Sequence, residues 1–321
     1  MEFTLDYLSG LVEDSINQIR YPEVAQGLYA PIRYTMGSGG KRLRPALCLA
    51  AYSAVTHESP LDVLNQALAI EMFHNFTLLH DDVMDNADVR RGKPTVHRRW
   101  GANAAILSGD AMLTLAVMLL AQGADNKLPQ FSELFNRTAM EVYQGQQLDM
   151  EFEERSDVTV DEYLEMIRLK TSVLLGCACQ LGAMAADAND NDCRKFYDYG
   201  IALGLAFQLR DDWLDTFGDP VIFGKEIGGD IVNNKKTWLL IQGLAEARDE
   251  LLPLLEAHLD ASDKVEAVTE IYRRLNLDAR CNDLVKHYTT EAIRALDGLC
   301  LDAEAHSFFC DLALKASTRN H

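Results

Sequence analysis

Phe76-Thr77-Leu78-Leu79-His80-Asp81-Asp82-Val83-Met84-Asp85 runs an apolar segment straight into a carboxylate triplet. Ala206-Phe207-Gln208-Leu209-Arg210-Asp211-Asp212-Trp213-Leu214-Asp215 does so a second time. The shared word is D-D-x-x-D. Both copies lie in stretches whose apolar residues recur at helical spacing, which predicts a helix under each. Residues four apart on a helix lie one above the other. Asp81 and Asp85 then share a face, and so do Asp211 and Asp215. Carboxylates crowded in this way repel each other unless a cation sits between their oxygens. Hard, oxygen-only ligands with room for water suit Mg²⁺ bound together with a substrate's phosphates. Two such faces would grip one diphosphate from both sides. A single copy is more often a solvated face in a chain with 49 Asp+Glu against 30 Lys+Arg. Repetition directly after an apolar segment raises the metal reading above that alternative.

The rest of the 321 residues narrows the class. Hydrophobic residues make up 48%, enough for a sizeable core. A net charge of −19 argues against nucleic acid as a partner and against a polybasic membrane anchor. The first residues lack the basic-then-apolar layout of a signal peptide. The most apolar stretch, Ala111 to Ala121, is short for a membrane span, so no membrane insertion is expected. The seven cysteines are scattered, and Cys177-Ala178-Cys179 points its thiols to different sides of a helix. They read as small buried hydrophobes in a reducing compartment, and the expected location is cytoplasmic.

Alternating β-branched runs are nearly absent, and the eight prolines fall mostly near the ends of 3.6-period segments. Helices are predicted near 3–19, 43–57, 61–85, 103–122, 130–152, 160–187, 191–217, 234–258, 262–275 and 278–296, with one more after 303. Pro253 is expected to kink or split its segment. No linker and no repeat divides the chain. The fold class is all-α, a single domain over residues 1–321 with ten or more helices.

Positive charge is clustered. Lys41, Arg42 and Arg44 follow the glycines of Gly37-Ser38-Gly39-Gly40, and Arg90, Arg91, Lys93, Arg98 and Arg99 follow the first acidic motif. Backbone N–H groups at a helix start and arginine forks both favour phosphate oxygens. Either cluster alone reads as a solvated patch. Beside a Mg²⁺–diphosphate site they offer a metal-free hold for a second diphosphate. His74 lies seven residues before Asp81, about 20° off its face. Lys170-Thr171 sits in a largely apolar stretch, where the lysine either snorkels out or meets an anion. Gln208 is about one turn before Asp211. Lys225, Lys235 and Lys236 follow the second motif in a glycine-rich loop.

Taken together, these strings resemble the trans-isoprenyl diphosphate synthases, the polyprenyl synthetase family. The matching pieces are Gly39-Gly40-Lys41-Arg42-Leu43-Arg44-Pro45, Leu78 to Asp85, Arg90-Arg91-Gly92-Lys93-Pro94-Thr95, Gly145-Gln146-Gln147-Leu148-Asp149, Lys170-Thr171, Phe207 to Asp215, Gly224-Lys225 and Asn234-Lys235. They stand in the family's order over roughly residues 37–240. The resemblance implies helices around a deep central cavity, a homodimer and three Mg²⁺ per site. By matched position, Asp81, Asp85 and Asp211 are the implied metal ligands, with Asp82, Asp149 and Asp215 as supporting carboxylates. Arg90, Lys170, Thr171, Gln208, Lys225 and Lys235 are implied to line the allylic diphosphate site. Lys41, Arg44, His74 and Arg91 are implied to hold isopentenyl diphosphate. The sparsely basic end, Lys315 to His321, departs from members with a basic tail.

The implied reaction ionises an allylic diphosphate (dimethylallyl, geranyl or farnesyl), adds the alkene of isopentenyl diphosphate to C1 and loses a proton. Thr171, Gln208 and the backbone carbonyl of Lys170 would stabilise the cation by their dipoles. Phe76 and Thr77 are implied to form the floor that limits chain length. A helical wheel places Phe76 about 140° from Asp81, so periodicity alone does not select it. A small Thr77 and the absence of an insertion in the first motif resemble geranylgeranyl rather than farnesyl diphosphate synthases. Twenty carbons is therefore the expected product, with fifteen as its rival. A class I terpene cyclase fits less well, because the second D-D-x-x-D is intact and a basic string is present. A non-catalytic subunit fits less well, because both acidic motifs are complete.

Overall fold

The computed structural model describes residues 3–219 and 227–318. It is all-α, as the periodicity predicts. In chain order the helices are α1 (Leu5–Gln18), α2 (Gln26–Met36), α3 (Leu43–Thr56), α4 (Leu64–Met84), α5 (Val96–Trp100), α6 (Ala102–Ala121), α7 (Leu128–Glu154) and α8 (Val160–Ile167). After a π-helical turn (Arg168–Ser172) come α9 (Val173–Ala185), α10 (Asp190–Phe217), α11 (Gly229–Val232), α12 (Trp238–Glu256), α13 (Ala261–Arg274), α14 (Leu277–Ala295) and α15 (Ala303–Thr318). One antiparallel hairpin, β1 (Val89–Arg90) with β2 (Lys93–Pro94), is the only sheet among the described residues.

Two compact units make up the chain. The first comprises Met1–Arg137, Cys177–Tyr197 and Leu299–Phe308; the second comprises Thr138–Gly176, Asp198–Gly298 and Phe309–His321. In the first, α3 and α4 are apolar on nearly every face and are buried accordingly, as central helices must be. An aromatic stack braces α4: Phe135 packs on Phe73 at 5.2 Å between ring centroids, Phe73 on Phe76 at 5.5 Å, and Phe76 on His80 at 4.7 Å. In the second unit, Tyr163, Leu209, Trp238, Leu251, Tyr272 and Cys281 belong to one buried cluster drawn from α8, α10, α12, α13 and α14.

Most predicted helices fall within a few residues of the observed ones, and the exceptions have local causes. Residues 26–36 form α2 despite Pro31, which lies inside the helix. Its lost hydrogen bond is offset by burial of Pro31, Ile32 and Met36. The single helix expected over 160–187 is divided by the π turn. The expected 234–258 helix starts only at Trp238, where the Thr237 side chain caps it by accepting from the Leu240 N–H at 3.3 Å. Its irregularity lies at Ala247 (φ −139°, ψ 43°), upstream of Pro253. The apolar stretch is longer than expected. As α6 it is long and apolar enough to cross a membrane by those criteria alone, with 33% of the span buried. Five of the cysteines are buried, but Cys300 is exposed and Cys310 half-buried.

Candidate active site

The basic cluster of the first unit is built on α3, α4 and the hairpin. Arg42 anchors it. The residue before α3 sits in the left-handed region (φ 46°), and its buried guanidinium reaches Glu13 at 2.7 Å, Glu71 and the Met36 carbonyl. Arg42 is thus consumed internally. Arg44, two residues on, is left to act outward. Its Nη1 lies 3.2 Å from His74 Nε2. A guanidinium only donates, so that imidazole nitrogen accepts, and His74 is neutral with its proton on Nδ1. Burial holds His74 well below the ordinary imidazole range, and Arg44, Arg91, Arg90 and Arg42 push it the same way. Burial also pulls Arg44 down to about 10; Glu71 opposes this and Arg91 adds to it. The buried Arg44 Nε has no hydrogen-bond partner among the described residues. A buried charged donor left unsatisfied is costly, and an anion would satisfy it.

Arg91 completes the cluster. With Gly92 it forms the two-residue loop of the hairpin, and both residues have positive φ (53° and 72°). Such loops favour Asn-Gly; an arginine there costs about 1–2 kcal/mol in backbone strain. Its guanidinium donates to the Gly39 carbonyl and lies against Gly40. A Cβ at Gly40 would come within 2.9 Å of that guanidinium carbon, so the glycine keeps the space open. Lys41 is exposed beside them.

The first acidic motif ends α4. Asp82 is buried and accepts from Arg90 Nε at 2.6 Å. Burial raises its pKa against the pull of Arg90. Asp81 is half-buried and Asp85 exposed at the C-cap. Arg90, implied as a diphosphate ligand, is therefore tied to the middle aspartate before any substrate arrives.

The second acidic motif lies in the second unit, at the end of α10. Here too the middle aspartate is buried. Asp212 accepts from the Tyr163 hydroxyl and from Gln208 Nε2 at 3.0 Å. Burial, then Asp230, pushes its pKa up to about 7 against Lys235 and the two donors. Asp215 accepts from the Asp230 backbone N–H at 2.8 Å; burial and Asp230 raise it. Lys235 Nζ lies 3.6 Å from Asp230 Oδ1. Burial would lower Lys235, but Asp230, Asp212, Asp149 and Asp215 together hold it above the ordinary lysine range.

Lys170 and Thr171 sit in the π turn, where the Val173 N–H reaches back five residues to Arg168 O. Such turns shift side chains out of α-helical phase and recur at functional sites. Lys170 neither snorkels out nor stands alone; its ammonium pairs with Asp149. Thr171 Oγ1 donates to Gln208 Oε1 at 3.2 Å. Gly145 of α7 makes this possible, because a Cβ there would run into the Lys170 backbone. One local network thus joins Thr171, Gln208, Asp212 and Tyr163. Lys225 lies outside the described residues.

Tyr163, Asp212 and Asp230 are absent from the sequence-derived set. Nothing in its spacing marks Tyr163. Asp212 is within reach of such reasoning, since it holds the same place in its motif as Asp82. Phe76 is buried in the aromatic stack, while Thr77 is half-buried with Oγ1 donating to the His74 carbonyl at 2.8 Å.

Among the described residues no three His, Cys, Asp or Glu side chains converge on a ready-made metal cage. Mg²⁺ does not require one, since it keeps waters and takes phosphate oxygens beside one or two carboxylates. The donor set fits it: every candidate ligand is a carboxylate oxygen, and the second motif gathers carboxylates whose charge Lys235 offsets only in part.

Comparison with known proteins identifies the family. The polyprenyl synthetase family model matches residues 25–275. A geranylgeranyl diphosphate synthase of Saccharolobus solfataricus is 40% identical over 267 residues, 81% of this chain and 80% of its own. One of Methanosarcina mazei is 39% identical over 235 residues, 73% of this chain and 72% of its own. A crystal structure of a geranylgeranyl pyrophosphate synthase superposes with a TM-score of 0.95 at 42% identity, covering 100% of both chains. The chain belongs to the polyprenyl synthetase family.

Proposed function

We propose that the chain is a geranylgeranyl diphosphate synthase, working as one catalytic domain on an allylic diphosphate. The observation that carries this reading is the buried, unpartnered Nε of Arg44 beside a neutral His74. It is a cation cluster awaiting an anion, in a chain that also repeats D-D-x-x-D. The named relatives support the twenty-carbon product.

In this reading Asp81, Asp85 and Asp211 hold Mg²⁺, expected as three ions, with Asp82, Asp149 and Asp215 in support. Bound Mg²⁺ supplies neutralisation of the charge growing on the departing diphosphate. Arg90, Lys170, Lys225 and Lys235 hold that diphosphate, Arg90 and Lys170 after exchanging the carboxylates that pair them beforehand. Lys41, Arg44, His74 and Arg91 hold isopentenyl diphosphate. The C1–O bond of the primer breaks, and its electron pair leaves with the diphosphate. Thr171, Gln208 and the Lys170 carbonyl direct their dipoles at the allylic cation. The isopentenyl alkene supplies the electrons of the new C–C bond, and the released diphosphate takes the proton. Excluding water protects the cation.

Thr77 is one turn below Asp81 on the same face, and Phe76 is fixed by Phe73 and His80. Together they set the floor for the growing chain. A homodimer through α6 is part of the proposal: Leu107 is 60% and Met118 57% exposed on that helix. A cytoplasmic location is supported by the cysteines, none of which is in a disulfide among the described residues.

The test supplies Mg²⁺, isopentenyl diphosphate and each allylic primer in turn, with products separated by chromatography. Chains ending at twenty carbons are expected from every primer, and longer ones from Phe76→Ala. A complete lack of elongation contradicts the reading; termination at fifteen carbons overturns the product assignment alone.

A further inference from the structure

A cavity of about 340 Å³ lies in the second unit, between the segment entering α8 and the first half of α12. No residue assigned a role above lines it. Val158, Val160, Ile241 and Leu244 give it an apolar wall, and Lys236 and Arg248 give it charge. The one carboxylate among its lining residues, Asp157, is occupied, with Oδ1 2.8 Å from Arg155 Nε. Neither cation is in an ion pair within 4.0 Å among the described residues, although the Glu153 carboxylate acts on Lys236 from further away. The Lys236 ammonium donates only to the carbonyls of Glu153 and Asn234, at 3.4 and 3.3 Å. Burial lowers its pKa, with Glu153 opposing. Lys236 is half-buried and Arg248 exposed, so both charges are open to a ligand entering from solvent.

The volume is at the lower end of small-molecule sites. It suits an anionic head group with a short branched chain, the head on Lys236 and Arg248 and the chain on Val158 and Leu244. We propose that this cavity is a second ligand site, for a short branched aliphatic phosphate, through which occupancy weakens the hold on the allylic primer. The choice of ligand class rests on the prenyl-transfer reading; the cavity and its charge do not.

The coupling follows from chain neighbours. Lys236 is next to Lys235, whose ammonium lies 3.6 Å from Asp230. Thr159 on the cavity wall caps α8, one turn before the Tyr163 that donates to Asp212. An anion that draws Lys236 into the cavity displaces Lys235 from its place among the carboxylates.

The probe is 3-methylbutyl phosphate, which has neither an allylic leaving group nor an alkene. Its binding to the full-length protein is measured by calorimetry in EDTA, without turnover. Arg248→Gln and Lys236→Gln should each weaken binding about tenfold or more, as loss of one charge-assisted contact does. Arg44→Gln should leave it unchanged. The probe should raise the primer KM of the wild type but not of Arg248→Gln, whose activity without probe is that of the wild type. No binding, or binding lost in Arg44→Gln and kept in Arg248→Gln, overturns the site. Binding with an unchanged primer KM overturns the coupling. A failure of prenyl transfer itself appears separately, as absent product without probe.

Discussion

The basic cluster of the first unit and the second acidic motif of the other carry opposite, uncompensated charge. Around Arg44, His74 and Arg91 the cations outnumber their partners, and burial together with those cations keeps His74 neutral. Around Asp212, Asp215, Asp230 and Asp149 the carboxylates outnumber theirs, and Lys235 is held charged. The first place can take an anion directly. The second needs further cations before it can take one. On the proposed reading, one protein prepares two anion sites by opposite electrostatic routes, one of them through metal.

Breaking the acidic side should have the largest effect. Asp81→Ala and Asp211→Ala are each expected to lower turnover by about 10²–10³-fold or more, as loss of transition-state charge stabilisation does. Circular dichroism should remain that of the parent. Near-normal turnover in either variant would remove that aspartate from the metal site.

A smaller and more selective effect separates the two arginines of the hairpin. Arg91→Ala should raise the KM for isopentenyl diphosphate roughly tenfold to a hundredfold, the range for hydrogen bonds to charged groups. Arg90→Ala should act mainly on the allylic primer, because its partner is Asp82 of the acidic motif. Initial rates with each substrate varied in turn distinguish them. Equal shifts for both substrates from both variants would erase the division.

Gly145→Ala probes the scaffold behind the second motif. The added methyl meets the Lys170 backbone, which cannot swing aside as a side chain would. A stability loss of about 1–3 kcal/mol is expected from overpacking, read by denaturant titration, together with reduced kcat. Unchanged kcat would show that the placement of the π turn is not needed.

The smallest effect concerns pH. The folded pKa of His74 is depressed, so the unfolded chain binds its proton first as pH falls. Its contribution to stability is complete above the unfolded value, about 6.5. It is lost progressively as pH drops from there towards the depressed folded value. His74→Gln lacks this contribution, so its melting temperature should fall less between pH 7 and pH 5. Parallel curves would mean that His74 is not held neutral.

The helices around both D-D-x-x-D words are legible in the sequence, because long apolar periodicity overrides local detail. Residues 26–36 are not, because Pro31 argues locally against a helix that tertiary burial then sustains. The π turn is hidden because Arg168 to Ser172 has helical composition. Gly145 marks that turn only once its backbone is seen against that of Lys170. The roles of Arg42 and Arg44 cannot be separated by composition, since both are arginines of one string. Only the packing shows that Glu13 and Glu71 occupy the first and leave the second available. Tyr163 and Asp230 are illegible because the contacts that matter join positions far apart in the chain.

The central claim, that one anion site is built from cations and the other needs metal, is tested most directly by calorimetry on the unreacted protein. Isopentenyl diphosphate and a non-ionising thio analogue of geranyl diphosphate are each titrated with Mg²⁺ and then in EDTA. Isopentenyl diphosphate should bind in both conditions and the allylic analogue only with Mg²⁺. An allylic analogue that binds equally well in EDTA, or an isopentenyl diphosphate that requires the metal, would contradict the account.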